Sequence, residues 1–140
     1  MEIQPFMIDD YGAMIALWER SGLPFEKDGR DSRDSIERQM FDDHIAIITL
    51  KEQGQLIGAI IATSDGRKGW INRLAVDPDF RGRRLAARLI EAAEEKLAEM
   101  GVSVIGGLIE DQNFPSMAAA KYCGYEGWEH LVYFRKKLNK

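Results

Sequence analysis

The stretch from Trp70 to Ile109 restricts the fold more than any other part of the chain. Trp70–Val76 reads as a strand, and Pro78 closes it. From Gly82 to Met100, the residues Leu85, Leu89, Ala93, Leu97 and Met100 recur three or four apart, the spacing of one helical face. Gly101 stands where helices commonly end in left-handed backbone. Val102–Ile109 is a second apolar strand. A strand, a crossover of this length and a second strand return to one sheet as a parallel, right-handed pair.

The flanking segments read as shorter elements. Glu2–Phe6 is a first strand. Asp9 or Asp10 can cap a helix with Met14, Ile15, Leu17 and Trp18 on its apolar face, stopped by Gly22 and Pro24. Ser21–Arg33 is a polar loop, and a second helix runs from Ser32 or Ser35 to Phe41. Ile45–Leu50 and Leu56–Thr63 form a hairpin around Glu52-Gln53-Gly54-Gln55, and Asp65–Gly69 is a turn. Ser116–Cys123 is a short helix ended at Gly124, and Tyr125–His130 with Leu131–Leu138 form a closing strand pair. The sum is an α+β fold with a mixed, twisted sheet around a central β-α-β unit. The 140 residues fit a single domain spanning 1–140.

A net charge of −4 excludes a global basic field, and with it nucleic acid as the expected partner. Any anion site must be local. Cys123 is the one cysteine, and His44 and His130 are the two histidines, too few ligands for a Cys/His zinc site; no metal is expected. Met1–Pro5 lacks the basic start of a signal peptide, and no apolar run approaches the ~20 residues of a membrane span. These features read as a soluble cytoplasmic protein.

The local exception to the acidic balance is Phe80-Arg81-Gly82-Arg83-Arg84-Leu85-Ala86, between a strand and a helix start. Unpaired N–H groups and the helix dipole make such a junction an anion site. Arg81, Arg83 and Arg84 add planar forks suited to phosphate oxygens, and Arg88 lies one turn beyond Arg84.

Trp70–Ala86 as a whole resembles the acyl-CoA motif of the GNAT superfamily of N-acetyltransferases. The strand ends in Leu74-Ala75-Val76, a Pro-containing loop follows, and Arg81–Ala86 is similar to that family's R/Q-x-x-G-x-G/A turn. Downstream, Asn113, Ser116, Gly124 and Tyr125 resemble its second signature, N-x-x-A-x-x-x-Y-x-x-x-G-F. Two positions depart from the pattern. Arg84 replaces the central glycine of the turn, which suits an arginine with helical φ and an outward side chain. Ala120 stands where many members carry the tyrosine that protonates the departing thiolate. Tyr122 is two residues on, roughly 200° around the helix, and is not its substitute.

The resemblance implies acetyl-CoA as cosubstrate and direct acetyl transfer to a primary amine. It implies a bulge in the Trp70 strand and a parting of the two parallel strands beyond it. The main chain of Leu74, Ala75 and Val76 would then hold the pantetheine arm like a short added strand, with an N–H near Leu74 facing the oxyanion. Arg81, Gly82, Arg83, Arg84, Leu85 and Ala86 would grip the pyrophosphate, and Asn113 would flank the pantetheine; Asn113 and Ser116 fit a helix N-cap equally. A lysine-like amine, with a pKa of about 10.4, needs a base. Glu110, at the end of the second parallel strand, is the expected one, with Asp111 beside it. Trp18, Phe25, Trp70 and Trp128 can line an acceptor pocket or simply pack. Cys123 has no histidine pattern to activate it as a nucleophile.

The acceptor, a small-molecule amine or a protein amine, carries no signature, and a homodimer through the C-terminal strands is an open expectation. Two other readings stand beside the enzyme. One is an acyl-CoA-binding sensor with little turnover, suggested by Ala120. The other is a nucleotide or polyphosphate binder using the arginine turn.

Overall fold

A computed structural model describes residues 1–138. Its one sheet has the order β1(Glu2–Pro5), β2(Ile45–Glu52), β3(Gln55–Ser64), β4(Gly69–Val76), β5(Ile105–Gly107). The first four strands pair antiparallel, and β4 and β5 pair parallel, as the crossover requires. The helices are α1(Tyr11–Arg20), α2(Arg33–Met40), α3(Leu85–Glu99) and α4(Phe114–Tyr122).

The sheet separates two apolar layers. On one face Met14, Leu17 and Trp18 of α1 and Ile36 of α2 pack against Ile47, Ala59, Ile61 and Ala75. On the other, Leu85, Leu89, Ile90, Ala93 and Leu97 of α3 cover Ile48, Leu50, Ile60, Ala62 and Val76. Leu85, Leu89, Ala93 and Leu97 belong to the face read from the 3.6-residue spacing; Ile90 joins them, and Met100, also expected there, follows the helix end and is only partly buried. The β2–β3 hairpin turns through Gln53 and Gly54, both at positive φ (50° and 81°), the backbone a two-residue hairpin loop needs.

Several boundaries differ from expectation. Asp10 precedes α1 but caps nothing; its carboxylate is drawn to Lys51 Nζ, 2.9 Å away on β2. The helix expected from Gly82 starts at Leu85, because Gly82 and Arg84 lie at φ 88° and 58° and cannot enter it. The strand expected over Val102–Ile109 pairs only at Ile105–Gly107. The expected closing strands Tyr125–His130 and Leu131–Leu138 do not form: residues 125–138 contain neither helix nor strand. A three-residue β5 is too short an edge to template them, and Leu131–Phe134 are four consecutive apolar residues with no alternating face. Their side chains stand exposed.

Candidate active site

The site starts where the parallel pair ends. β4 and β5 are in register at Gly69–Ile105, Trp70–Gly106 and Ile71–Gly107, and there the pairing stops. β4 itself runs on to Val76, so from Asn72 onward its main chain has no strand neighbour on the β5 side. At the same level the other side is irregular. Asn72 pairs with Ile61 and Ala75 with Ala59, which leaves Arg73 and Leu74 opposite the single residue Ile60. This is a β-bulge, and Arg73 absorbs it at φ 54°. An apolar strand with unpaired amides on one edge is a ready partner for another extended chain.

The far end of this open edge is fixed by Asp77, only 3 % exposed. Its Oδ1 accepts from the Asp79 N–H at 2.9 Å, holding the turn Pro78–Phe80, and its Oδ2 accepts from Arg20 Nη2 at 2.9 Å. The end of α1 is thereby tied to the exit of β4. The chain then passes through exposed Arg81, Gly82, Arg83 and Arg84 into α3. No side chain caps α3, so its first-turn N–H groups are left for a ligand or solvent. Arg84, expected with helical φ, is left-handed instead (φ 58°, ψ 28°). A glycine would take that conformation without steric cost, and arginine does not.

The arginines differ in their surroundings. Arg83 lies 3.6 Å from the Glu52 carboxylate, with its guanidinium 5.4 Å from the Phe80 ring centre. Arg84 Nη1 donates to the Tyr122 hydroxyl at 2.7 Å, and its guanidinium sits 4.5 Å from that ring centre. Arg73 stacks 4.3 Å over the Trp18 ring, 3.7 Å from the Asp31 carboxylate, with Nε and Nη2 buried and without a hydrogen-bond partner. Burial lowers its pKa, with Asp31 opposing.

Leu74, Ala75 and Val76 form the open edge, and Arg81–Ala86 the turn beyond it. Glu110 lies three residues past β5 in an exposed turn, where its carbonyl accepts from the Asn113 N–H at 2.9 Å; β5 ends too early to carry it as a strand residue. Asp111 is exposed beside it. Asn113 is the N-cap of α4, its Oδ1 accepting from Ser116 N–H at 3.3 Å, so Ser116 is the donor rather than the cap. Ala120 presents no hydroxyl, and its carbonyl accepts from Tyr125 N–H at 2.9 Å. Tyr125 in turn donates to Glu94 at 2.8 Å, and burial with that carboxylate raises its phenol pKa. Burial, then Glu94 and Glu91, push the Cys123 thiol up, away from nucleophilic use.

The four aromatics do not gather. Trp18 is fully buried against Phe25, with ring centres 6.4 Å apart, whereas Trp128 is 72 % exposed. Trp70 lies over β5, where a Cβ on Gly106 would meet its ring at 3.1 Å. Sequence reasoning missed Asp77, Arg73 and the Arg84–Tyr122 contact. Asp77 was legible, since Asp before Pro is a common cap. The other two depend on distant packing. Among the described residues no group of three or more His, Cys, Asp or Glu side chains is placed to hold a metal ion, and no helix is long and apolar enough to cross a membrane.

Comparison with known proteins adds an independent line. The family model described as "Acetyltransferase (GNAT) family" matches residues 13–125. "Acetyltransferase ECA0875" of Pectobacterium atrosepticum is 35% identical over 113 residues, covering 81% of this chain and 79% of that one. "Acetyltransferase SG1711" of Sodalis glossinidius is 31% identical over 138 residues, covering 99% and 96%. Among solved structures, AAC(6')-Iy in complex with the bisubstrate analogue CoA-S-monomethyl-acetylneamine superposes with a TM-score of 0.80 at 21% identity, covering 98% of each chain. At that identity the likeness concerns the fold.

Proposed function

Because the chain belongs to the acetyltransferase (GNAT) family, we propose that it moves an acetyl group from acetyl-CoA to a primary amine by direct attack in a ternary complex. The observation that carries this reading is the open strand edge. Pairing with β5 ends at Ile71, and β4 continues to Val76 and leads into the uncapped start of α3.

In this reading the β4 main chain at Leu74–Val76 aligns the two amides of the pantetheine arm as a strand addition. The amides of α3's first turn, with Arg81, Arg83 and Arg84, bind the pyrophosphate, and Gly82, Leu85 and Ala86 supply main-chain approach. A Leu74 N–H, beside the bulge, faces the developing oxyanion. Glu110 takes the amine proton directly or through water, and Asn113 flanks the arm while capping α4. With alanine at position 120, no tyrosine hydroxyl stands there to protonate the leaving thiolate, which takes its proton from solvent or from the proton that the attacking nitrogen sheds as the tetrahedral intermediate collapses. The acceptor class follows the company the fold keeps: AAC(6')-Iy is an aminoglycoside N-acetyltransferase, so a small-molecule amine is the first to test. The exposed C-terminal apolar residues support a homodimer, and the lone Cys123 supports a reducing, cytoplasmic setting.

Isothermal titration with acetyl-CoA tests the binding step. A Kd at or below about 100 μM is expected, the middle of the usual KM range; no heat at several times that concentration refutes the reading. Ala120 favours one alternative, an acyl-CoA sensor with little turnover. Amine-dependent thiol release across an amine panel would eliminate it.

A further inference from the structure

We propose that Tyr122 is a positioning residue for cosubstrate binding: it holds the Arg84 guanidinium, without neutralising it, ready for a phosphate of coenzyme A. The proposal rests on the acetyl-CoA reading and adds to it a residue that neither motif assigns.

Three observations converge on this pair. Arg84 occupies the turn in left-handed backbone, φ 58°, where a glycine would be at ease. An arginine in that backbone carries a steric cost that glycine would not. Its guanidinium is held twice by Tyr122, through the 2.7 Å hydrogen bond from Nη1 and through stacking at 4.5 Å. The third observation is the kind of partner. Arg83 is charge-compensated by Glu52, 3.6 Å away, whereas Arg84 has no carboxylate within ion-pair distance among the described residues. A phenol accepts one N–H and leaves the positive charge and four donors of the guanidinium unspent. The held fork therefore loses little side-chain entropy when an anion arrives, the usual gain from preorganisation. Both residues are exposed, Tyr122 at 58 %, so the pair is open to a ligand. Tyr122 comes from the last turn of α4, and the contact thereby joins the two family signatures at the phosphate turn.

A double-mutant cycle on the full chain, read by titration with coenzyme A, tests this. Tyr122→Phe keeps the stack and loses the hydroxyl; about a threefold weaker Kd is expected. Tyr122→Ala loses both, and about tenfold is expected. In the Arg84→Gly background the same substitutions should change Kd less than twofold, because the residue being positioned is gone. With a working acceptor, KM for acetyl-CoA should rise with Kd while kcat stays unchanged. Equal losses in both backgrounds, or none in the wild type, would overturn the positioning role and leave the acetyltransferase reading standing. Absence of coenzyme A binding by the wild type would overturn both. Circular dichroism checks that each variant folds.

Discussion

At the scale of single residues, chemistry and charge separate cleanly. Glu110 is exposed and belongs to no ion pair among the described residues, so its proposed work is proton transfer and not stability. Glu110→Gln should lower kcat by about 10²-fold or more, as losses of a general base do. Thermal stability should stay within about 0.5 kcal/mol, as for other surface changes. An unchanged kcat would reassign the base. Asp65 is the reverse case. Its carboxylate accepts from the Lys68 and Arg67 N–H groups, both at 2.8 Å, and from Trp70 Nε1 at 3.2 Å. These bonds, the Lys68 one foremost, bring its pKa down from 3.8 to about 2. The sign follows from linkage: a lowered folded pKa contributes stability above the unfolded value, lost as pH falls towards about 2. Asp65→Asn should therefore be less stable than wild type at pH 5 to 7, with the difference closing in acid. Carboxyl NMR titration should place the wild-type midpoint near 2.

At the scale of elements, the site depends on how β4 is anchored at both ends. Asp77 both caps the following turn and pairs with Arg20 from buried surroundings. Asp77→Ala should cost about 2–4 kcal/mol, the sum of a lost cap and a lost charge-assisted bond. It should also raise KM for acetyl-CoA, because the turn it holds leads into Arg81–Arg84; urea unfolding and steady-state kinetics check the two effects. The elements themselves were largely readable. The 3.6-residue rhythm of α3 comes from a face that is nearly all buried, and the β2–β3 hairpin announces itself through Gln53-Gly54. Boundaries fared worse wherever backbone strain or tertiary pairing decided them. Arg84 looks like a helical residue locally, yet the turn requires positive φ there. The parting of β4 from β5 was legible only through family resemblance, because Val102–Ile109 is apolar along its length and nothing local marks where pairing stops. Arg84's partner was invisible for a similar reason: 38 residues separate it from Tyr122.

For the whole molecule, the two ends of the sheet are unequally finished. The β1 edge is short and followed by helices, whereas β5 is the outer strand beside the opening. Beyond α4, the side chains of Trp128, Leu131, Val132, Tyr133, Phe134 and Leu138 are each at least 66 % exposed. Monomeric proteins seldom leave so many large apolar groups together in water, since each fully buried side chain of this kind gains about 1.5–3 kcal/mol. Within one chain the neighbouring edge is only three residues long, too little to cover them. A second copy offers the same apolar segment in return, and a two-fold pairing would satisfy both copies at once. Multi-angle light scattering at micromolar concentration should therefore give twice the mass of 15.9 kDa. Phe134→Glu, which places a charge in the middle of that segment, should return the protein to monomer with its circular dichroism spectrum intact. A wild-type monomer at every concentration would overturn this pairing.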